Sequence, residues 1–139
     1  MTGRGPSALR CGGLDAALRR LARAQGRRGV EVSLRAPAPA DLPPALQVVV
    51  LRLVQEALSN VVRHARAERA DVLVSAHDDE LVVVVEDDGV GAGGAPEGTG
   101  LTGMRSRVES LGGTLTVDPA RAPDADGRTG TVVEARIPL

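Results

Sequence analysis

One apolar tract leaves this chain few choices of fold. Residues 81–85 read LVVVV and run directly into EDDGVGAGG at residues 86–94. Consecutive valines favour a β-strand, and a strand without polar residues is expected to be buried on both faces. Such a strand requires a surrounding sheet and helices that cover it, and the rest of the chain must supply both.

Helical and extended patterns alternate along the remaining sequence. Amphipathic spacing predicts helices over 14–28, over a segment that includes VQEALSNVVRHA at 54–65, and over 101–111, where Gly112 ends the last one. Between the helices, extended patterns predict strands at 30–35, 70–76, 114–117 and 131–137. A proline-rich loop is expected at 36–44 and a turn at 77–79. This order predicts an α+β fold, a two-layer α/β sandwich with helices packed on one face of a mixed sheet.

The length of 139 residues is that of one ordinary domain with a real core. We expect residues 1–13 to be a disordered N-terminal segment and residues 14–139 to form the domain. The single cysteine, Cys11, lies in that segment and is expected to be an inert thiol. The start lacks a signal-peptide pattern and no apolar run approaches the ~18 residues that cross a bilayer, which predicts a cytoplasmic chain without a membrane segment.

Two absences exclude several functions. The chain has no Phe, Tyr or Trp, so it cannot stack nucleobases on aromatic side chains as many single-strand binders do. All of its 17 basic residues are arginine, and without lysine neither a Walker-type phosphate loop nor Schiff-base chemistry is possible. The net charge of -1 indicates no nucleic-acid partner. The arginine-rich stretch 19–28 is expected to be the solvated face of a helix.

The helix that contains residues 54–65 carries polar side chains at the border of its apolar stripe. At about 100° per residue, Glu56 and Asn60 lie side by side at this border, whereas Arg63 is expected on the polar side. Two interpretations remain open from this helix alone. The pair either faces solvent on an ordinary surface or lines a partly desolvated cleft that a ligand can enter.

Glycine-rich motifs follow the apolar strand. Asp87, Gly89 and Gly91 form D-x-G-x-G, which is ordinary turn chemistry or a place where a ligand approaches the backbone. GTGLTGM at 98–104 places glycines before a helix, where free N–H groups favour phosphate or serve only as a cap. Gly130 and Thr131 precede the last strand. The order of these motifs favours a nucleotide site over a chance arrangement of turn and capping residues.

These motifs resemble those of the Bergerat-fold ATPases, which include gyrase, MutL and the catalytic domains of sensor histidine kinases. EALSNVVRHARA resembles the asparagine box of that family, DDGVG its first glycine box and GTGLTGMRSRVESLGGTL its second. The last stretch is especially similar to two-component sensor kinases of the nitrate-sensor type. The resemblance covers nearly the whole chain from Leu14 and implies that residues 14–139 form a histidine-kinase-like ATPase domain.

The resemblance also implies roles for individual residues. Glu56 would orient or deprotonate the attacking group, Asn60 would coordinate Mg²⁺, and Asp87 would accept a hydrogen bond from the adenine amino group. Adenine would lie between aliphatic side chains. The other expected ATP contacts are Arg63, Gly89, Gly91, Gly98, Gly100, Leu101 and Thr131.

The implied function is transfer of the ATP γ-phosphoryl group to a histidine on a separate dimerisation domain, with a response regulator as the next partner. Neither histidine of this sequence has the context of a phosphoacceptor, because His64 is expected to be packed and His77 to lie in a turn. We therefore expect a solitary catalytic domain, a truncated kinase or a fragment. The alternatives are a serine kinase of the anti-sigma-factor type and a nucleotide-binding regulator without turnover.

Overall fold

The computed structural model describes residues 13–37, 42–91 and 99–139, with the backbone alone for His64, Ala65 and Thr99. The predicted disordered segment 1–13 therefore lies outside the described residues except for Gly13, which begins the first helix. Gly98, an expected phosphate contact, also lies outside them.

Within the described ranges, three helices and five strands follow one another. They are α1 (Gly13–Gly26), β1 (Glu31–Arg35), α2 (Pro44–Asn60) with a π-helical turn (Val61–Ala65), β2 (Arg69–His77), β3 (Glu80–Asp87), α3 (Thr99–Ser110), β4 (Thr114–Pro119) and β5 (Thr131–Pro138).

The strands form one mixed sheet in the order β1-β2-β3-β5-β4. β1 runs parallel to β2, and the other neighbouring strands are antiparallel. β2 and β3 form a tight hairpin whose central residues, Asp78 and Asp79, have φ of 49° and 61°. Left-handed backbone at both positions is what a type I′ turn requires. The predicted turn is confirmed at Asp78 and Asp79, but His77 is the last residue of β2 rather than a turn residue. The predicted α+β sandwich is confirmed.

The helices cover one face of the sheet, and α2 is the central one, in contact with α1, α3 and β3. Its N-terminus is marked by Pro44 in the first helical turn, where a missing N–H costs nothing. Inward-facing rows of β3 and β5 meet this helix layer. The buried members of the three elements are Leu46, Val49, Val50, Leu51, Leu53, Val54, Ala57, Leu58, Leu81, Val83, Val85, Val133, Ala135 and Ile137.

No helix covers the outer face of the sheet among the described residues. Val82 and Val84 are half-buried there, so the prediction that the tract 81–85 is buried on both faces is wrong. Their exposure is limited by cross-strand neighbours rather than by a second layer. Nearby, Arg136 pairs with Glu80 at 2.9 Å and with Glu134 at 2.7 Å, exposed contacts that stabilise little.

The stretch Pro44–Arg63 would pass for a membrane span on length and composition alone. Half of its 18-residue apolar window is buried inside the domain, as in the core helix of many globular proteins. Burial against sheet and helices explains why so many of its positions are apolar.

Several helix boundaries differ from the sequence-based expectation, and α1, for example, ends at Gly26 rather than at residue 28. α2 keeps α-helical geometry only to Asn60 and then widens into the π-helical turn, which Arg66 ends in left-handed backbone with φ of 51°. α3 begins at Thr99, so Gly100 and Gly103 lie inside a helix rather than ahead of it.

Candidate functional site

The predicted site residues come from segments that meet at one end of the sheet. Asp87, at the end of β3, pairs with Ala70 near the start of β2 and with Thr131 at the start of β5. Only residues 66–68 separate the π-helical turn from β2. The C-terminal end of α2 therefore lies at the same end of the sheet, since so short a link spans at most ~10–14 Å.

Asp87 continues the inward-facing row of β3, after Leu81, Val83 and Val85. It is only 7% exposed, and its Oδ1 accepts a hydrogen bond from the Gly89 N–H at 2.8 Å. Burial raises the pKa of the Asp87 carboxyl, against the lowering effect of that N–H. A desolvated acceptor at the end of a core row can discriminate between ligands by hydrogen bonding.

Gly91 packs the glycine-rich segment against the residues that precede β5. Its φ of +92° is left-handed, and an added Cβ would collide with the Thr129 side chain. The Gly130 N–H donates to the Gly89 carbonyl at 3.0 Å. Backbone thus packs on backbone beside Asp87, where bulkier residues would fill the space.

Asp88 holds strand ends together, a role that the sequence did not indicate. Its Oδ1 accepts hydrogen bonds from the backbone N–H groups of Glu68 at 2.9 Å and Arg69 at 3.0 Å. Partial burial acts to raise the pKa of Asp88, but these N–H groups outweigh it and the pKa is lowered. The DDG motif therefore contains two acids with different environments.

Arg128 connects the loop before β5 to the backbone near Asp88. Its guanidinium donates to the Arg66 carbonyl at 3.0 Å and to the Asp88 carbonyl at 3.4 Å. The first contact holds the left-handed residue that ends the π-helical turn. No local signal in the sequence marks Arg128, because its partners are distant along the chain.

Glu56, Asn60 and Arg63 form a polar cluster on α2 and its π-helical turn. The Arg63 guanidinium donates to Asn60 Oδ1 at 3.1 Å and lies 3.7 Å from Glu56 Oε2. Arg63 is exposed, as predicted for the polar side, and its long side chain reaches back along the helix to the border of the stripe. Glu56 and Asn60 are partly exposed, as a site open to a ligand requires.

The first turn of α3 lies against this cluster. Gly100 faces Glu56 so closely that an added Cβ would collide with the carboxyl group. Leu101, the next residue, is 6% exposed and belongs to the hydrophobic core. The start of α3, the end of α2 and the end of β3 thus frame the candidate site.

A metal site built only from protein side chains is not found in the described ranges, where no three His, Cys, Asp or Glu residues are clustered suitably. Asn60 Oδ1 is a hard oxygen ligand of the kind that Mg²⁺ accepts. Mg²⁺ commonly keeps several waters and takes phosphate oxygens, so a single protein ligand is compatible with it.

The family model for histidine kinase-, DNA gyrase B- and HSP90-like ATPases matches residues 45–139, more than half of the chain. The chain belongs to this ATPase family. The matched range contains every described residue of the cluster and of the DDG motif. It begins within α2 and continues to the end of β5.

Relatives of this ATPase domain are sensor histidine kinases. It is 36% identical to sensor histidine kinase YxjM of Bacillus subtilis over 81% of the chain and 27% of that protein. It is 43% identical to the nitrate/nitrite sensor protein NarQ of Escherichia coli over 54% of the chain and 14% of that protein. The resemblance to nitrate-sensor-type kinases is therefore confirmed.

The fold is shared with solved structures of the same class. The histidine kinase domain of the Erythrobacter litoralis blue-light activated kinase EL346 has a TM-score of 0.70 and 28% identity, covering 91% of this chain and 60% of that one. The ATPase domain is an ATP-binding catalytic domain of the histidine-kinase type. It spans well under half the length of the curated kinases named above.

Proposed function

We propose that this ATPase domain binds Mg²⁺-ATP at the end of the sheet and transfers the γ-phosphoryl group to a histidine on another domain. The observation that carries the proposal is the cluster of Glu56, Asn60 and Arg63 beside the first turn of α3. A general base, a metal ligand and a cation lie there within one helical face. The cytoplasm, where ATP is supplied, is the proposed location.

Asp87 would recognise the base. A carboxylate offers about four lone-pair sites, and the backbone N–H group of Gly89 uses one of them. The remaining capacity suits the amino group of adenine and disfavours a base with a carbonyl at that position. Gly89, Gly91 and Thr131 surround this acceptor, and aliphatic side chains would cover the ring because the chain has no aromatic residue.

Asn60, Arg63, Gly100 and Leu101 would form the phosphate end, together with Gly98. Mg²⁺, when bound, would neutralise phosphate charge and orient the γ-phosphoryl group. Asn60 would offer it an amide oxygen, and Arg63 would exchange its bond to that oxygen for a phosphate oxygen. Lysine is absent from the sequence, which leaves arginine and the metal as the available counter-charges.

Glu56 would serve the acceptor histidine. In the transfer, a bond forms between a ring nitrogen and the γ-phosphorus while the bond from that phosphorus to the bridging oxygen of ADP breaks. The attack comes from the unprotonated ring nitrogen, and the proton on the other ring nitrogen passes to the Glu56 carboxylate, directly or through a water. Positioning accounts for much of the rate in phosphoryl transfer, so the acceptor must be presented in line.

The two histidines of this chain are poorly placed to be that acceptor. His77 lies at the opposite end of the β2–β3 hairpin from Asp87, roughly 23 Å away at ~3.3 Å per residue. His64 lies in the π-helical turn that follows Asn60 on α2. We propose that a dimerisation domain supplies the acceptor and that a response regulator receives the phosphoryl group next.

Binding and transfer can be tested separately. Calorimetry with and without EDTA should give weaker ATP binding when Mg²⁺ is removed, and equal affinity in both would remove Asn60 from a metal site. Incubation with γ-labelled ATP should leave the chain unlabelled, whereas an added dimeric helical hairpin from a related kinase should acquire acid-labile label. Glu56→Ala should suppress that label and spare ATP binding.

The chemical stability of the label also tests the alternatives. Acid-stable label on a serine of a partner would favour the anti-sigma-type kinase, and tight binding without transfer to any hairpin would favour the regulator. Acid-labile label on the isolated chain would show that one of its own histidines is an acceptor.

A further inference from the structure

The contact between Gly100 and Glu56 joins the two helices of the candidate site. The positions that a Cβ on Gly100 would occupy overlap Cδ and both carboxylate oxygens of Glu56. The overlap involves the whole carboxyl group, so the Gly100 Cα packs directly against it. The partner is a side chain end, which can move, rather than fixed backbone.

Gly103 provides a direct comparison within the same helix. An added Cβ there would meet nothing within 4 Å, and neither glycine has the left-handed φ that excludes other residues. Helix geometry alone therefore does not require glycine at position 100. Alanine is the better helix former, so a glycine at each position lowers intrinsic helix stability.

The Glu56 carboxylate has neighbours on two helices. Arg63 approaches Oε2 from its own helix at 3.7 Å, and Gly100 in the first turn of α3 lies against the same carboxyl group. The Glu56 side chain is 31% exposed, so solvent alone would leave it several rotamers. The packing contact with Gly100 restricts where the carboxylate can lie.

We propose that Gly100 is a positioning residue that fixes the Glu56 carboxylate for proton transfer by leaving it room against α3. The inference rests on the proposed function of Glu56. It is separate from the proposed phosphate contact of Gly100, which the backbone N–H would make and which alanine would keep. Displacing a catalytic group by about 1 Å can cost on the order of 100-fold in rate.

The first test compares transfer and binding in Gly100→Ala with the matched control Gly103→Ala. Transfer of label from γ-labelled ATP to the added hairpin should fall about 10- to 100-fold in Gly100→Ala, with the ATP Kd within about twofold of wild type. Gly103→Ala should change neither quantity. A loss of ATP affinity of tenfold or more in Gly100→Ala, or wild-type transfer, would overturn the proposal.

A double variant separates the proposal from the function on which it rests. Adding Gly100→Ala to Glu56→Ala should give no further loss of transfer, because the carboxylate to be displaced is gone. Independent losses that multiply would show that Gly100 acts on transfer without Glu56, which would overturn the proposal. If Glu56→Ala alone transferred at the wild-type rate, the proposed role of Glu56 would fail, whatever the behaviour of Gly100.

Thermal unfolding tests the contact without any acceptor. Gly103→Ala should raise the unfolding midpoint by about 3 °C through helix propensity. Gly100→Ala should give a similar rise in the Glu56→Ala background but a smaller rise in the wild-type background, where the carboxylate must move. Equal rises in both backgrounds would show that Gly100 does not confine Glu56 and would overturn the proposal.

Discussion

Replacing Asp87 by Asn removes a charge while keeping the size of the side chain. The wild-type carboxylate accepts from the backbone N–H group of Gly89 and, in our proposal, from the adenine amino group. Asn has one acceptor oxygen, which the Gly89 N–H would occupy. Its NH₂ group would then face the amino group of adenine, donor against donor.

The magnitude follows from the single hydrogen bond that is lost. A hydrogen bond to a charged group contributes about 1.5–3 kcal/mol, so the ATP Kd of Asp87→Asn should rise about 10- to 150-fold. ITP, which carries a carbonyl where ATP has the amino group, should gain relative to ATP, because the Asn NH₂ can donate to it. Asp88→Asn is the matched control, since it retains an acceptor oxygen for Glu68 and Arg69.

The same substitution should stabilise the unliganded fold. The pKa of Asp87 is raised in the folded state, mainly by burial. The stability linked to this group is fully present below the pKa of the unfolded chain and is lost as the pH rises through the higher folded pKa. A neutral Asn avoids that loss, so the gain should be seen at neutral pH and disappear in acid.

Calorimetry is the suitable assay, because a chain without aromatic residues has no intrinsic tryptophan or tyrosine fluorescence to follow. ATP and ITP titrations at neutral pH, with thermal unfolding alongside, measure both effects. Wild-type affinity should also weaken as the pH falls through the raised pKa of Asp87. Unchanged ATP affinity in Asp87→Asn, or an equal loss in Asp88→Asn, would refute base recognition by Asp87.

Three further substitutions have separate expectations. Asp88→Ala should cost about 1 kcal/mol in unfolding free energy and leave the ATP Kd within about threefold, as a comparison of denaturant and calorimetric titrations would show. Because its pKa is lowered, this contribution is present above the unfolded pKa and lost as the pH falls through the folded value. Gly91→Ala should destabilise by about 1–2 kcal/mol through its positive φ, with part of any larger loss relieved by Thr129→Ala. Leu58→Ala, at a side chain 1% exposed, should cost about 2–5 kcal/mol by urea denaturation without changing base preference.

The sequence predicted the elements whose signals are local. The spacing along α2 put Glu56 and Asn60 together at the border of an apolar stripe, and the DDG motif marked the end of a buried strand. Both depend on helix or strand periodicity, which a single sequence displays directly. The layer order followed from the alternation of these elements.

Contacts between distant segments could not be predicted in this way. The contact of Gly100 with Glu56 depends on how α3 packs on α2. The hydrogen bonds from Arg128 depend on where the loop before β5 lies in the fold. The π-helical turn after Asn60 has no propensity signal that distinguishes it from α-helix. The tract 81–85 was expected to be buried on both faces because apolar composition does not reveal that one side of a sheet lacks a covering layer.

Because Asp87 lies at the end of an inward-facing row, the length of β3 is constrained during the evolution of this domain. Alternation places Leu81, Val83, Val85 and Asp87 on one face and Asp88 just beyond the strand. A single-residue insertion or deletion between Leu81 and Asp87 would exchange the two faces at the site end and turn Asp87 outward. Lineages descended from this domain should therefore accept substitutions along β3 far more readily than one-residue changes in its length, and any surviving change should come in pairs.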